Sequence, residues 1–283
     1  MKKLIKKILF VFASLMLFVS LLAFYAYEIE PRRLIVHYEE LTVPNWSENL
    51  DGFKIVAISD VHGGSNNVTE EKLKTLVETA NAQNPDLIVL LGDYVSQIGR
   101  RGSNLKMPSE IIAANLKGFQ AKYGVYAVIG NHDWWYDERK ITAEFEAAGI
   151  RVLENEIEQI NVGKETINLW GIEDYWKKRS VPTAPLDVLP ERKNIIAITH
   201  NPDSLLKTPP EIAVMFAGHS HGGQVKFPFY GAIAFVNDRR FMAGHAEVDG
   251  KNIFVTTGVG CSGPQIRFRV PPEIAVITIN ERR

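Results

Sequence analysis

The sequence predicts an α/β protein, sheets covered by helices, preceded by a transmembrane helix. Three observations predict it. Short apolar runs rich in Val and Ile recur along the chain and are nearly continuous, as strands buried on both faces should be. Segments with helical apolar spacing separate the early runs. Residues 8–27 hold no charge at all. The 283-residue chain is 46% apolar and 23% charged, which excludes a disordered, collagenous or polytopic membrane protein. A single cysteine, Cys261, excludes an internal disulfide framework and a cysteine zinc site.

Residues 1–27 form the first unit. Four lysines in residues 2–7 precede the uncharged stretch. A helix of that length covers about 30 Å, the depth of a bilayer core. Phe24, Tyr25 and Tyr27 sit at its far end, where aromatic rings favour the interface. Glu28, Glu30 and Pro31 end the segment. A cleaved signal peptide would need a shorter apolar core and small residues before the cut. Cleavage after Ala26 leaves Phe24 at the third position back, and cleavage after Ala23 leaves Leu21, so an uncleaved anchor fits better. The lysines predict a cytoplasmic N-terminus and an extracytoplasmic catalytic domain, although Arg32 and Arg33 on the other flank pull against that orientation.

Residues 28–49 are expected to be a juxtamembrane segment with the first strand near Leu34, and residues 50–283 the main domain. The net charge of −1 divides unevenly. Residues 1–27 carry four lysines and no acids, leaving 28 basic against 33 acidic residues, a net −5. An acidic domain is a poor match for nucleic acid. No feature indicates a protein partner.

Strands are predicted at 54–59, 86–91, 125–129, 195–199 and 212–217. Thr69 caps a helix carrying Leu73, Leu76, Val77 and Ala80 on one face. Pro108 and Ser109 open another with Ile111, Ile112, Leu116 and Phe119, and a third runs over 138–148 to Gly149. Further strands fall at 157–162, 166–172, 253–257 and 274–279. There is no internal repeat.

The chemistry sits where those runs stop. The first ends in Asp60-Val61-His62, the second in Gly92-Asp93, the third in Gly130-Asn131-His132-Asp133, the fourth in His200-Asn201 and the fifth in Gly218-His219-Ser220-His221. Any one motif is weak, because a lone His is more often a hydrogen-bonded structural residue. All five at strand ends is another matter: open α/β sheets gather ligand sites beyond the carboxyl ends of their strands. The glycines are expected to let the backbone turn sharply there. Carboxylates and imidazoles together suit Mn, Fe or Zn better than Ca or Mg.

In order and spacing these five motifs resemble the signature of the calcineurin-like metallophosphoesterases, over roughly residues 50–280. The strings AGHSHGGQV, ITHNPD and SGPQIRFRVPPEI are similar to a narrower, membrane-anchored bacterial phosphodiesterase branch, which includes enzymes assigned to UDP-2,3-diacylglucosamine hydrolysis in lipid A synthesis. The resemblance implies a sandwich of two central β-sheets flanked by helices, and two divalent ions, Mn²⁺ first and Fe or Zn as alternatives. Asp60, His62 and His221 would hold one ion, Asn131, His200 and His219 the other, and Asp93 would bridge them. A hydroxide bridging the ions would attack phosphorus in line. His132 would protonate the leaving oxygen or stabilise phosphoryl charge. Asp133 has two readings, orienting the His132 ring or capping the following helix. Ser96 stands where purple acid phosphatases have a tyrosine ligand, which argues against that coloured variant.

Substrate recognition is expected between the motifs. Arg100 and Arg101 could meet a phosphate or form a solvated loop. Trp134 and Trp135, with Tyr175, Trp176 and Phe227 to Tyr230, could line an acyl groove, dip into the membrane interface or pack in the core. Arg267 and Arg269 could clamp a phosphate. The short tether favours a lipid-linked or wall-linked substrate. A nucleotide-linked lipid belongs in the cytoplasm, though, and conflicts with the orientation the lysines predict. A non-catalytic scaffold on the same fold would show degenerate ligands, and a nuclease would be basic; this sequence fits neither.

Overall fold

The computed structural model describes residues 1–99, 104–232 and 238–282. Arg100 and Arg101 lie outside the described residues. Helix α1 (Lys2–Phe24) buries none of its side chains and is long and apolar enough to cross a membrane. It runs on through a π turn, Tyr25–Ile29, and a 3-10 turn, Glu30–Arg32. The globule begins inside those turns: Ala26, Glu30 and Pro31 are buried. The Arg267 N–H donates to the Ala26 carbonyl at 2.9 Å, and Asn66 Nδ2 donates to the Tyr27 carbonyl at 2.7 Å. The helix is therefore docked on the globule rather than joined by a loose linker.

The strands in chain order are β1 (Ile35–Val43), β2 (Phe53–Ile58), β3 (Leu87–Leu90), β4 (Val125–Ala127), β5 (Arg151–Val152), β6 (Glu156–Val162), β7 (Glu165–Ile172), β8 (Ile195–Thr199), β9 (Ile212–Ala217), β10 (Lys226–Phe227), β11 (Gly231–Ala232), β12 (Gly244–Val248), β13 (Lys251–Val255) and β14 (Glu273–Glu281). The remaining helices are α2 (Glu70–Asn81), α3 (Ser109–Leu116), α4 (Asn131–Tyr136), α5 (Glu138–Ala147) and α6 (Tyr175–Lys178). One six-stranded sheet has the order β1-β14-β2-β3-β4-β5 and the other β12-β13-β9-β8-β7-β6. β10 and β11 form a separate hairpin. Residues 28–49 are thus partly integrated, because β1 lies parallel to β14 in the first sheet.

The strands are apolar throughout because both faces are covered. On β2, Ile55 and Ala57 point into the layer between the sheets, while Val56 and Ile58 point to the helices. Phe216, Ile196 and Phe254 of the second sheet fill the same middle layer. α2, α3 and α5 close the outer face of the first sheet with Leu73, Leu76, Ile112, Ile141 and Phe145. Burying each such side chain contributes about 1.5–3 kcal/mol. The second sheet's outer face is closed differently, by Leu186, Leu205 and Phe241 from short 3-10 turns.

Thr69 caps α2 as its sequence predicts, its Oγ1 accepting from Lys72 N at 3.3 Å. What positions the site is direction. β2, β3 and β4 run parallel, as do β8 and β9, so the carboxyl ends of all motif-bearing strands gather at one seam between the sheets.

Candidate metal centre

Asp60 and His62 follow β2, Asp93 follows β3, Asn131 opens α4 just after β4, His200 follows β8, and His219 and His221 follow β9. Ligand atoms of Asp60, His62, Asp93 and His221 all lie within 4.8 Å of one another, and so do those of Asp93, His200 and His219. Asp93 belongs to both groups. Asn131 Oδ1 stands 3.2 Å from His200 Nε2. Residues 161 positions apart in sequence thus converge on one place.

Hydrogen bonds behind the ligands aim them. His62 Nδ1 faces the Val95 carbonyl at 3.0 Å, and His200 Nδ1 faces the Leu91 carbonyl at 2.8 Å. A carbonyl only accepts, so Nδ1 carries the proton and each Nε2 presents a lone pair. Those lone pairs meet Asp93 Oδ2 at 3.5 and 3.3 Å. His62 Nε2 also lies 3.3 Å from His221 Nε2. Asp60 Oδ1 is buried without a hydrogen bond. Acceptors converging on acceptors in a buried site need a cation between them. The donor set of two carboxylates, four imidazoles and one amide fits a dinuclear divalent site.

The electrostatics agree. Burial pushes His62, His219 and His221 down to about 3, leaving them neutral and free to ligate. Burial also opposes a charge on His200, yet Asp93 and Asp60 raise it to about 10, so without an ion its Nε2 holds a proton toward Asp93. A bound cation would take that proton's place and leave Nε2 as a lone pair.

The backbone shows how the loops make room. Asp60 (φ 51°), His62 (φ 44°), Asp93 (φ 57°), His219 (φ 69°) and His221 (φ 53°) all occupy the left-handed region. That conformation costs a non-glycine residue about 1–2 kcal/mol. The expectation that glycines make the sharp turns is corrected here. Gly92 does turn, at φ 86°, but Gly130 and Gly218 are not left-handed. They are needed for close approach: a Cβ on Gly130 would fall 2.3 Å from Asp93 N, and one on Gly218 would fall 1.7 Å from Ser59 Oγ.

His132 sits at the edge of this cluster. Its Nδ1 lies 2.6 Å from Gln97 Oε1 and its Nε2 lies 3.3 Å from Ser262 Oγ. Gln97 Nε2 donates to the His132 carbonyl at 2.7 Å, which turns the amide oxygen toward the ring. Asp133 is not the group that orients His132. It is fully buried and accepts from four backbone N–H groups, of Asp93, Tyr94, Val95 and Gly130. It therefore caps α4 from inside and locks the loop after β3 to the loop after β4. Burial and the neighbouring Asp93 push its carboxyl up to about 7.

The family profile for calcineurin-like phosphoesterases matches residues 53–223, more than half of the chain. The chain belongs to that family. It is a metal-dependent phosphoester hydrolase. Similar proteins include an "Uncharacterized metallophosphoesterase YkuE" of Bacillus subtilis, 29% identical over 90% of this chain and 88% of its own. "Phosphodiesterase YaeI" of Escherichia coli is 29% identical over 83% of this chain and 84% of its own. A zebrafish "Transmembrane protein with metallophosphoesterase domain" is 29% identical over 86% of this chain and 56% of its own.

Beside the metal centre the phosphoesterase has a cavity of about 520 Å³. Asp93, Asn131, His132, His219 and His221 form its floor, and Trp135, Trp176, Phe227 and Ile266 form an apolar wall. Trp135 lies against the His132 ring at 4.9 Å, and Trp176 meets His219 edge-on at 4.4 Å. Trp134 turns away instead: its Nε1 donates to Asp174 at 2.8 Å and its ring packs on the helical layer.

Arg267 is likewise corrected. It is fully buried and donates to the carbonyls of Thr257, Gly258, Gly260 and Val270, so it shapes the loop after β13 and does not reach a phosphate. Gln97 and Ser262 escaped the sequence reading. Both are ordinary polar loop residues with no spacing signal.

Proposed function

We propose that this phosphoesterase is a single-pass membrane enzyme that hydrolyses an amphiphilic phosphodiester at a bilayer surface. Asp60, His62 and His221 would hold one divalent ion, Asn131, His200 and His219 a second, and Asp93 both, with Mn²⁺ the first choice. The observation that carries the reading is the half-apolar cavity beside the converging lone pairs, in a domain docked on the end of a helix that is uncharged from residue 8 onward. The names of the Escherichia coli and zebrafish relatives support the diesterase and membrane parts. The diacylglucosamine substrate rests on sequence strings alone, so the broader class is preferred.

When bound, a divalent pair supplies Lewis-acid polarisation of the phosphoryl group and a more acidic water. The chain's own residues do the rest. Gln97 fixes the proton on His132 Nδ1, which leaves Nε2 to take up a proton and hand it to the leaving oxygen. Ser262 positions that nitrogen. Trp135 and Trp176 flank the site and exclude water from it. The catalytic domain is placed outside the cytoplasm, following the lysines of residues 2–7.

The test uses the full chain in micelles with Mn²⁺, because Ala26 and Tyr27 are part of the globule. Bis-p-nitrophenyl phosphate, p-nitrophenyl phosphate and UDP-2,3-diacylglucosamine are compared. Hydrolysis of diester over monoester is expected. Monoester preference overturns the diesterase reading, and no turnover with Mn, Fe or Zn overturns the proposal. Protease applied to intact cells tests orientation.

A further inference from the structure

We infer that the β10–β11 hairpin is a second membrane contact, dipping its aromatic tip into the bilayer that α1 crosses. The inference rests on the anchor reading above and gives the route by which an acyl chain reaches the site. Phe229 at the tip is fully exposed and Tyr230 is 70% exposed. Exposed apolar residues clustered on one short turn mark an interaction surface, and aromatic rings favour the bilayer interface.

The position of the hairpin decides the partner. Phe268 N–H donates to the Gln224 carbonyl at 2.8 Å, and Lys226 N–H donates to the Phe268 carbonyl at 2.9 Å. The preceding residue, Arg267, donates its N–H to Ala26 at the end of the anchor. The Tyr25 ring meets Phe268 edge-on at 6.1 Å. One two-residue support, Arg267-Phe268, therefore carries both the exit of α1 and the base of the hairpin. Where that helix leaves the bilayer, the hairpin is beside it.

Charge fits the same surface. Lys226 and Arg269 are exposed, line a cavity of about 250 Å³ and have no ion-pair partner among the described residues. Cations at this level meet lipid phosphates. Phe227, at the base of the hairpin, belongs to the apolar wall of the metal-centre cavity. Phe227 thus ties the hairpin to the cavity that reaches the candidate metal ligands.

The test is spin-label accessibility in full-length protein reconstituted in nanodiscs of mixed zwitterionic and anionic phospholipid. The native Cys261 is 1% exposed, so an introduced thiol labels alone. Three variants are labelled: Phe229→Cys at the tip, Leu15→Cys in α1, and Lys164→Cys in the β6–β7 turn. That turn lies at the amino end of β7, opposite the site. Power saturation compares oxygen with a water-soluble nickel complex. Labels at 229 and 15 are expected to be oxygen-rich and nickel-shielded, and the label at 164 the reverse. A shielded label at 15 beside a nickel-accessible one at 229 overturns the hairpin proposal alone. A nickel-accessible label at 15 overturns the anchor and the hairpin together. Neither readout depends on hydrolysis, so failure of the diesterase reading is seen separately.

Discussion

Gln97 grips His132 at both ends, its amide oxygen 2.6 Å from Nδ1 and its amide nitrogen donating to the His132 carbonyl at 2.7 Å. Gln97→Ala should therefore lower kcat about tenfold while both ions stay bound, the usual cost of losing an orienting partner. Gln97→Glu keeps an acceptor on Nδ1 and should recover part of the rate. Steady-state kinetics with metal analysis by mass spectrometry checks both.

His132→Ala removes the proposed proton donor itself. A fall in kcat of about 10²–10⁴ is expected, with unchanged metal stoichiometry. Loss of both ions with the rate would move His132 into the ligand shell.

Gly218→Ala tests the close approach. The new Cβ would lie 1.7 Å from Ser59 Oγ and 2.6 Å from Asp60 Oδ2, so Asp60 must shift. Metal content should drop below two per chain, with the ion proposed at Asp60, His62 and His221 lost first. Unchanged content would show that the loop relaxes freely.

Arg267→Leu should destabilise the fold and leave the KM of any folded fraction intact. It strips the donors from the carbonyls of Thr257, Gly260 and Val270, each worth about 1–3 kcal/mol when left unsatisfied, while the Gly258 carbonyl keeps the Glu273 N–H. Arg267→Lys should not rescue, because an ammonium cannot reach carbonyls spread around a guanidinium fork. Thermal melts of the full chain in micelles measure the loss.

His37 on β1 faces Glu273 on β14 at 3.3 Å, and that contact raises its pKa above the ordinary 6.5 against the opposing effect of burial. The folded state therefore binds the proton more tightly than the unfolded chain. The stabilisation is complete below pH 6.5 and is lost as pH rises through the higher folded value. Wild type should outlast His37→Gln in melts at pH 5.5 by a margin that shrinks as the pH is raised past 6.5 and through the higher folded value. A margin that grows with pH would contradict this assignment.

The convergence of the seven candidate ligands was legible because their motifs follow apolar runs, and chain direction alone sends strand ends to one seam. Thr69 and the helix it caps were legible from spacing. Asp133 was legible only in part: a helix cap was one of its two readings, but its partners include backbone N–H groups of a second loop that no side-chain pattern announces. Arg267 was misread for a general reason: arginine is almost never fully buried unless its donors are satisfied, and the carbonyls that satisfy it come from a loop with no regular period. α4 is six residues long and shows no helical repeat of its own.

The left-handed backbone at five ligands also bears on how this sequence can drift. Glycine adopts that conformation freely, and asparagine more easily than most residues. Exchanging Asp60, His62, Asp93, His219 or His221 for either would relieve backbone strain at five separate positions. The sequence instead carries at all five positions a strained residue that can hold a cation, which cation chemistry asks of the site and shape alone does not.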